Sequence, residues 1–263
     1  MLKELEETRA PVPRVALAGR MAGNNPFITK LANFAPLSGE DRLLIDDASA
    51  LQRTIPARTD LMPEGKLSSC FHLVISGFAC RYKLLEHGRR HIVGYLVPGD
   101  CCDLHPVTMR TMDYSLATLT DCQIAEISAD CMLSLAQRPA IADALRWSAL
   151  VSEAILREWL VNIAGRPADQ RVAHLLCELL LRLRAVGMDY GESFYLPLTQ
   201  QQLAETLALS SVHVSRTFTR LRESGLINLR NKQLIIRDFE ELAAFGGFNP
   251  NYLHLGSERR HSS

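Results

Sequence analysis

The stretch that most constrains this 263-residue chain is residues 198–237, LTQQQLAETLALSSVHVSRTFTRLRESGLINLRNKQLIIR. Thr199 followed three positions later by Gln202 is a capping box, so a helix starts there with its amide donors and positive dipole end outward. Such an end suits a phosphate group, which singles out Thr199, Gln200 and Gln201. Leu203, Ala204 and Leu207 give this helix an inner face, residues 208–210 form a tight turn, and a second helix over 211–224 buries Val214, Phe218 and Leu221. Two helices joined by three or four residues form a helix-turn-helix. After Gly225, residues 226–229 and 233–236 flank Arg230-Asn231-Lys232 as a hairpin wing, aimed at a nucleic-acid backbone through Arg230 and Lys232.

Opposite the buried face of the second helix lie Ser211, Val212, His213, Ser215, Arg216 and Arg220. Exposed side chains near the start of a recognition helix reach base edges in the major groove, and Arg216 is the residue expected to pair bidentately with guanine. Charge agrees locally. From Thr199 to Arg237, Arg216, Arg220, Arg222, Arg230, Lys232 and Arg237 stand against Glu205 and Glu223, a net +4 in a chain whose 29 Lys and Arg balance 29 Asp and Glu. A solvated helical hairpin, or a winged helix that binds protein, is the alternative reading.

The rest of the chain reads as an α+β protein with 47% hydrophobic residues, ample for two cores. Residues 1–25 carry Pro11, Pro13, Gly19 and Gly23 without periodicity and are expected to form a loose arm. Residues 25–50 read as two short helices, with Ser38 and Asp41 as a cap. Between residues 51 and 127 short β-type runs are punctuated at Gly65, Gly77, Gly88 and Gly99, which predicts an antiparallel, jelly-roll-like β-roll. Its best strands are 71–76, 78–85, 91–96, 116–119 and 123–127, with a turn at Glu86-His87-Gly88-Arg89. From residue 139 to about 164 a long helix follows, on which Ile141, Leu145, Ser148, Ser152, Ile155, Trp159 and Asn162 step by four and three, the spacing of a coiled-coil seam. A helix over 167–186 carries a leucine stripe, so residues 165–167 form the candidate hinge. The domains expected are therefore 1–25, arm; 26–137, sensor roll; 138–165, dimerisation helix; and 166–263, winged helix-turn-helix.

These segments together resemble the CRP/FNR transcription regulators. TQQQLAETLALSSVHVSRTFTRLRESGLI looks like their winged helix-turn-helix, and FHLVISGFACRYKLLEHGRRHIVGYLVPGD resembles their cyclic-nucleotide-binding-type roll; the likeness runs from about Pro26 to Phe245. It implies a homodimer on a near-palindromic operator in double-stranded DNA, contacting RNA polymerase if it activates. Arg216 and Ser215 match the family's recognition pair. Val212 stands where the main branches place a glutamate, so the bases read there are expected to differ.

The effector implied by the family is less certain to carry over, because the residues around it differ. Cyclic-nucleotide binders place Gly-Glu after the Pro-Gly-Asp turn and an arginine further on; this chain has Cys101-Cys102-Asp103-Leu104 and then Met112-Asp113-Tyr114-Ser115. A buried phosphate without its cation forfeits roughly 1.5 to 3 kcal/mol, so cAMP is not expected. An iron-sulfur cluster is not expected either, because no cysteine precedes Cys70. Cys102 and His105 resemble the haem-ligand motif of the carbon monoxide sensors with one residue too many, which leaves haem as an alternative. The effector pocket is expected around Cys101, Cys102, Asp103, His105, Tyr114, Ser115, Ser148 and Ser152, with the cofactor unknown; core packing is the simpler reading for both cysteines.

Other classes are disfavoured. No paired carboxylates, nucleophile elbow, phosphate-binding loop or metal-ligand spacing occurs, so no enzyme and no metal site are expected. Seven cysteines without a CxxC pair are read as reduced thiols. No apolar run reaches about 18 residues and residues 1–10 lack signal-peptide regions, so the expected location is the cytoplasm, without a membrane partner. A ligand- or haem-binding regulator whose winged helix contacts protein remains the competing function.

Overall fold

The computed structural model describes residues 25–102 and 111–255. Apart from Asn25, the expected N-terminal arm lies outside the described residues. Helix α1 (Pro26–Ala32) starts where the Asn25 side chain accepts from the Phe27 N–H and Pro26 occupies the first turn. Helix α2 (Gly39–Ala48) starts at a complete capping box of Ser38 and Asp41.

Eight strands follow: β1 (Gln52–Ile55), β2 (Asp60–Met62), β3 (Cys70–Ser76), β4 (Ala79–Leu84), β5 (Arg90–Leu96), β6 (Cys101–Cys102), β7 (Ser115–Thr118) and β8 (Cys122–Ser128). They pair antiparallel as two four-stranded sheets, β1-β8-β3-β6 and β2-β7-β4-β5, which is the expected roll. Strands β1 and β2 show no alternation for a sequence pattern to reveal: the first three residues of β1 are exposed and β2 has no buried residue. Between β4 and β5 the chain turns through a short 3-10 segment, Glu86–Gly88, with His87 at φ 65° and Gly88 at φ 72°.

Two glycines are dictated by close approach as well as by backbone. Gly77, at φ +85°, would place a Cβ 2.3 Å from the Asp121 carbonyl oxygen, and Gly99, at φ +87°, would place one 2.7 Å from that of Pro26. The second contact seats α1 on the Pro98-Gly99-Asp100 turn.

Helix α3 (Ala129–Leu135) leads into α4 (Pro139–Gly165), a 27-residue helix that begins with proline. Pro167 caps α5 (Ala168–Arg184), after which come β9 (Ser193–Tyr195), α6 (Gln200–Leu207), α7 (Ser211–Glu223), β10 (Ile227–Arg230), β11 (Gln233–Ile236) and α8 (Phe239–Gly246). Strands β10, β11 and β9 form a third sheet in that order. The wing closes on Asn231 and Lys232, both left-handed at φ 50° and 64°, as a two-residue hairpin turn of the primed kind requires.

Three apolar clusters hold these elements. Phe27, Leu31, Ile45, Phe71, Leu73, Ile127, Ile141 and Leu145 join α1, α2, α3 and the start of α4 to the first sheet. Val74, Ala79, Leu96, Cys102, Leu116 and Ile124 fill the space between the two sheets. The third joins the outer face of the second sheet, at Cys80, Tyr82, Ile92, Tyr95 and Val97, to Trp159 of α4, the leucines of α5 and the whole winged helix core. The winged half is therefore packed on the roll, a contact the sequence did not announce.

The expected seam on α4 requires correction. Ile141, Leu145, Ser148, Trp159 and Asn162 are buried within their own chain, and Ser152 and Ile155 are partly so. The Asn162 side-chain amide donates to the Arg171 carbonyl at 3.2 Å and the Ser152 hydroxyl donates to the Ser148 carbonyl at 2.9 Å. A 3.6-residue period marks a face that packs, without saying on what. The apolar residues α4 leaves open are Leu150, Leu156, Leu160 and Val161, with Trp147 half-covered against His254.

Candidate nucleic-acid interface and sensor cavity

Helix α6 begins as its sequence requires: the Thr199 hydroxyl accepts from the Gln202 N–H at 3.1 Å and the Gln202 side chain accepts from the Thr199 N–H at 2.8 Å. It ends at Ala208, left-handed at φ 54°, and the Arg171 guanidinium donates to the Leu207 carbonyl at 3.1 Å. Ser210 then caps α7 by accepting from the His213 N–H at 3.2 Å. Leu203, Ala204 and Leu207 meet Val214, Phe218 and Leu221 in the core.

That packing turns the opposite face of α7 outward. Val212, His213, Arg216 and Arg220 are exposed and Ser211 and Ser215 half-buried, and all but Ser211 line an open groove together with Ser210 and Thr219. Arg220 donates to Asp169 of α5 at 2.7 Å, and Thr217 holds the same carboxylate at 2.8 Å. Arg216 thus lines the groove with its side chain exposed, while Arg220 is tied to α5. Arg230 and Lys232 are exposed at the wing.

Thr199, Gln200 and Gln201 are exposed as well, but the rest of α6 packs against the roll. The Tyr95 hydroxyl on β5 shares a hydrogen bond with Thr206 at 2.5 Å, and Arg90 donates to Glu205 at 2.8 Å. Thr199 and Lys232 consequently border a cleft of about 930 Å³ whose other wall is roll backbone and side chains at Gly77, Phe78 and Asp121. The phosphate-seeking end of α6 and the wing tip face the sensor half across this cleft.

A second connection is ionic. Arg182 of α5, only 10% exposed, donates to Asp100 at 2.6 Å, to the Tyr95 carbonyl at 2.8 Å and to Glu178 at 3.0 Å. Lys30 of α1 also pairs with Asp100. Burial pushes the Asp100 carboxyl up, but Lys30 and Arg182 more than offset this and hold it at about 2. Glu178, fully buried, accepts from Trp159 at 3.0 Å and from Tyr252 at 2.8 Å; burial still raises its pKa. Asp100 lies in the roll's turn, so this chain of charges ties the sensor to α4, α5 and the segment after α8. In the sequence its trace is an acid and an arginine four apart, Glu178 and Arg182, on a leucine-rich stripe.

Between the roll and α4 lies a cavity of about 1080 Å³, walled by Phe71, Tyr95, Leu96, Leu145, Leu150, Ile155 and Leu156 with Lys30, Arg81, Lys83, Asp100, Asp113, Arg146 and Arg182 at its edges. Of the residues expected at an effector pocket, Cys101, Tyr114 and Ser152 line it. Cys102 does not: alternation along β6 turns it into the space between the sheets, where it is buried and its sulfur accepts from the His72 N–H at 3.3 Å. Ser115 is spent on the Glu64 N–H at 3.0 Å, and Ser148 is buried on α4 away from the cavity lining. Asp103 and His105 lie outside the described residues. Among the described residues no three His, Cys, Asp or Glu side chains group as a metal site, and no helix is long and apolar enough to cross a membrane.

A β-roll with a cavity against a long helix, and that helix leading to a winged helix-turn-helix with an exposed arginine, defines a DNA-binding transcription regulator. The Crp-like helix-turn-helix domain family matches residues 170–245 and the cyclic nucleotide-binding domain family residues 52–139. A probable transcriptional activator of Rhizobium leguminosarum bv. viciae is 30% identical over 195 residues, covering 73% of this chain and 80% of that protein. The nitrogen fixation regulation protein FixK of Bradyrhizobium diazoefficiens is 30% identical over 185 residues, 69% of this chain and 77% of its own. In fold, the structure of FixK2 from Bradyrhizobium japonicum aligns with a TM-score of 0.66 at 19% identity, over 74% of this chain and 96% of that one. The chain belongs to the CRP/FNR family of transcription regulators.

Proposed function

We propose that this regulator binds a near-palindromic operator as a cytoplasmic homodimer, with α7 in the major groove and Arg216 paired to a guanine of each half-site. The observation that carries the reading is the exposed Arg216 lining an open groove on a helix whose other face is core. Gln200, Gln201, His213, Ser215 and Arg230 are assigned to positioning on the phosphates, and Thr199 and Lys232 join them where the cleft against the roll opens to the duplex. The open apolar strip of α4 at Leu150, Leu156, Leu160 and Val161 is the surface assigned to a second copy, and RNA polymerase is the further partner if the protein activates.

The effector assigned to the cavity is not a cyclic nucleotide. Its wall carries the Asp113 carboxylate, while Lys30 and Arg182 are held by Asp100, Lys83 by Glu64 and Arg146 by Asp143, and the Arg81 guanidinium lies over the Tyr114 ring. Haem held through Cys102 is disfavoured by the direction of that side chain, away from the cavity.

Binding of the intact protein to an operator selected from random duplexes tests the reading. Arg216→Ala is expected to cost about 1–3 kcal/mol and to relax preference at one base pair per half-site. Equal binding of the wild type to selected and random duplex, or unchanged affinity in Arg216→Ala, overturns it.

A further inference from the structure

The open groove of α7 contains one side chain whose chemistry neither phosphate contact nor protein packing accounts for. Val212 is 58% exposed at the second position of the helix, whereas Val214, two residues on, is completely buried in the core. Both are β-branched, so the helix tolerates the type at either place; burial separates their roles. Single exposed valines are ordinary on protein surfaces. This one differs by its neighbours, because Ser210, His213, Ser215, Arg216 and Thr219 share the groove with it, and all of these are polar.

Val212 lies one turn before Arg216, four residues and so about 6 Å along the helix axis. On a duplex that rises about 3.4 Å per base, this separation spans one to two base steps. When Arg216 reaches a guanine, Val212 therefore meets the edge of a base pair one or two steps away. A valine offers no donor or acceptor. Of the groups displayed in the major groove, only the C5-methyl of thymine gains from apolar contact, while every other base edge there would lose water to a side chain unable to replace it.

We infer that Val212 is a specificity-determining residue that selects thymine, through its methyl group, one or two steps from the guanine read by Arg216. The inference rests on the proposed docking of α7 in the major groove. It adds a demand which that docking alone does not make: the half-site must carry a methyl at a defined place.

The test uses the intact protein and its selected operator, with each thymine near the contacted guanine replaced in turn by deoxyuridine, which differs only in lacking the methyl. One replacement, at the same place in both half-sites, is expected to weaken wild-type binding about fourfold per site, the worth of one buried methyl. In Val212→Ser that replacement is expected to change nothing, and 5-methylcytosine at the position is expected to be preferred over cytosine by the wild type only. Indifference of the wild type to every deoxyuridine replacement overturns the inference, as does an undiminished methyl preference in Val212→Ser. Failure of the docking itself is read separately, as loss of operator preference on the unmodified duplex or indifference to Arg216→Ala.

Discussion

Replacing Arg182 by methionine isolates the buried ionic link between the two halves of the molecule. The guanidinium is 10% exposed and serves Asp100, the Tyr95 carbonyl and Glu178, at 2.6, 2.8 and 3.0 Å. Methionine fills a similar volume but leaves two buried carboxylates short of a cation. Removing one member of a buried ion pair costs about 3–5 kcal/mol. Here the lower end applies, because Asp100 keeps Lys30 and the Val97 N–H, and Glu178 keeps Trp159 and Tyr252. A loss of about 3 kcal/mol, with a urea slope of roughly 3 kcal/mol per molar, moves the midpoint down by about 1 M. Trp159, whose indole N–H donates to Glu178 at 3.0 Å, reports the transition by fluorescence. Adding Glu178→Gln to Arg182→Met is expected to recover about 1 kcal/mol, since one uncompensated charge disappears. A midpoint within about 0.3 M of wild type at equal slope, below roughly 1 kcal/mol, would refute the assignment of Arg182 as the link.

Two further expectations concern the dimer and acid stability. Leu160→Glu, at a residue 69% exposed in the single chain, should leave the fold intact but weaken self-association by about 3 kcal/mol, as two copies of a leucine leave a symmetric interface; sedimentation equilibrium measures it, and an unchanged dimer refutes the placing of the interface. His174 is fully buried, and burial and then Arg166 depress its pKa to about 4 despite Glu158. The unfolded chain then binds a proton that the folded chain does not, so His174 contributes stability above about pH 6.5 that is lost as pH falls toward 4, on the order of 3 kcal/mol in all. Urea titrations of wild type and His174→Gln between pH 7 and 4.5 measure this, and parallel pH profiles refute it.

Local devices were legible and distant ones were not. The capping box at Thr199, the turn at 208–210 and the wing turn at Asn231 and Lys232 are written within a few residues of chain, and each forms where its chemistry demands. The face of α7 carrying Arg216 followed from the positions of Val214, Phe218 and Leu221. By contrast, Tyr95 meets Thr206 and Arg182 meets Asp100 across more than eighty residues, and no period or motif in either segment names the other. The seam on α4 failed for a related reason: apolar spacing identifies a packed face, and Trp159 satisfied it by turning toward Glu178. Cys102 was placed at the cavity because two adjacent cysteines give no sign of which one turns between the sheets.

The β4–β5 hairpin acts as a partition one strand thick. Along β4, Arg81 and Lys83 look into the sensor cavity, while Cys80 and Tyr82 look into the apolar mass shared with the winged half. The register shift opposite Arg81 and Tyr82 keeps Ile92 on the second of these sides, while Tyr95 borders both. Odd and even residues of a single strand thus belong to different compartments, the cavity on one side and the core that seats α6 and α7 on the other. One backbone is all that separates the cavity from the core on which α6 rests, and at that crossing Tyr95 shares its hydroxyl with Thr206.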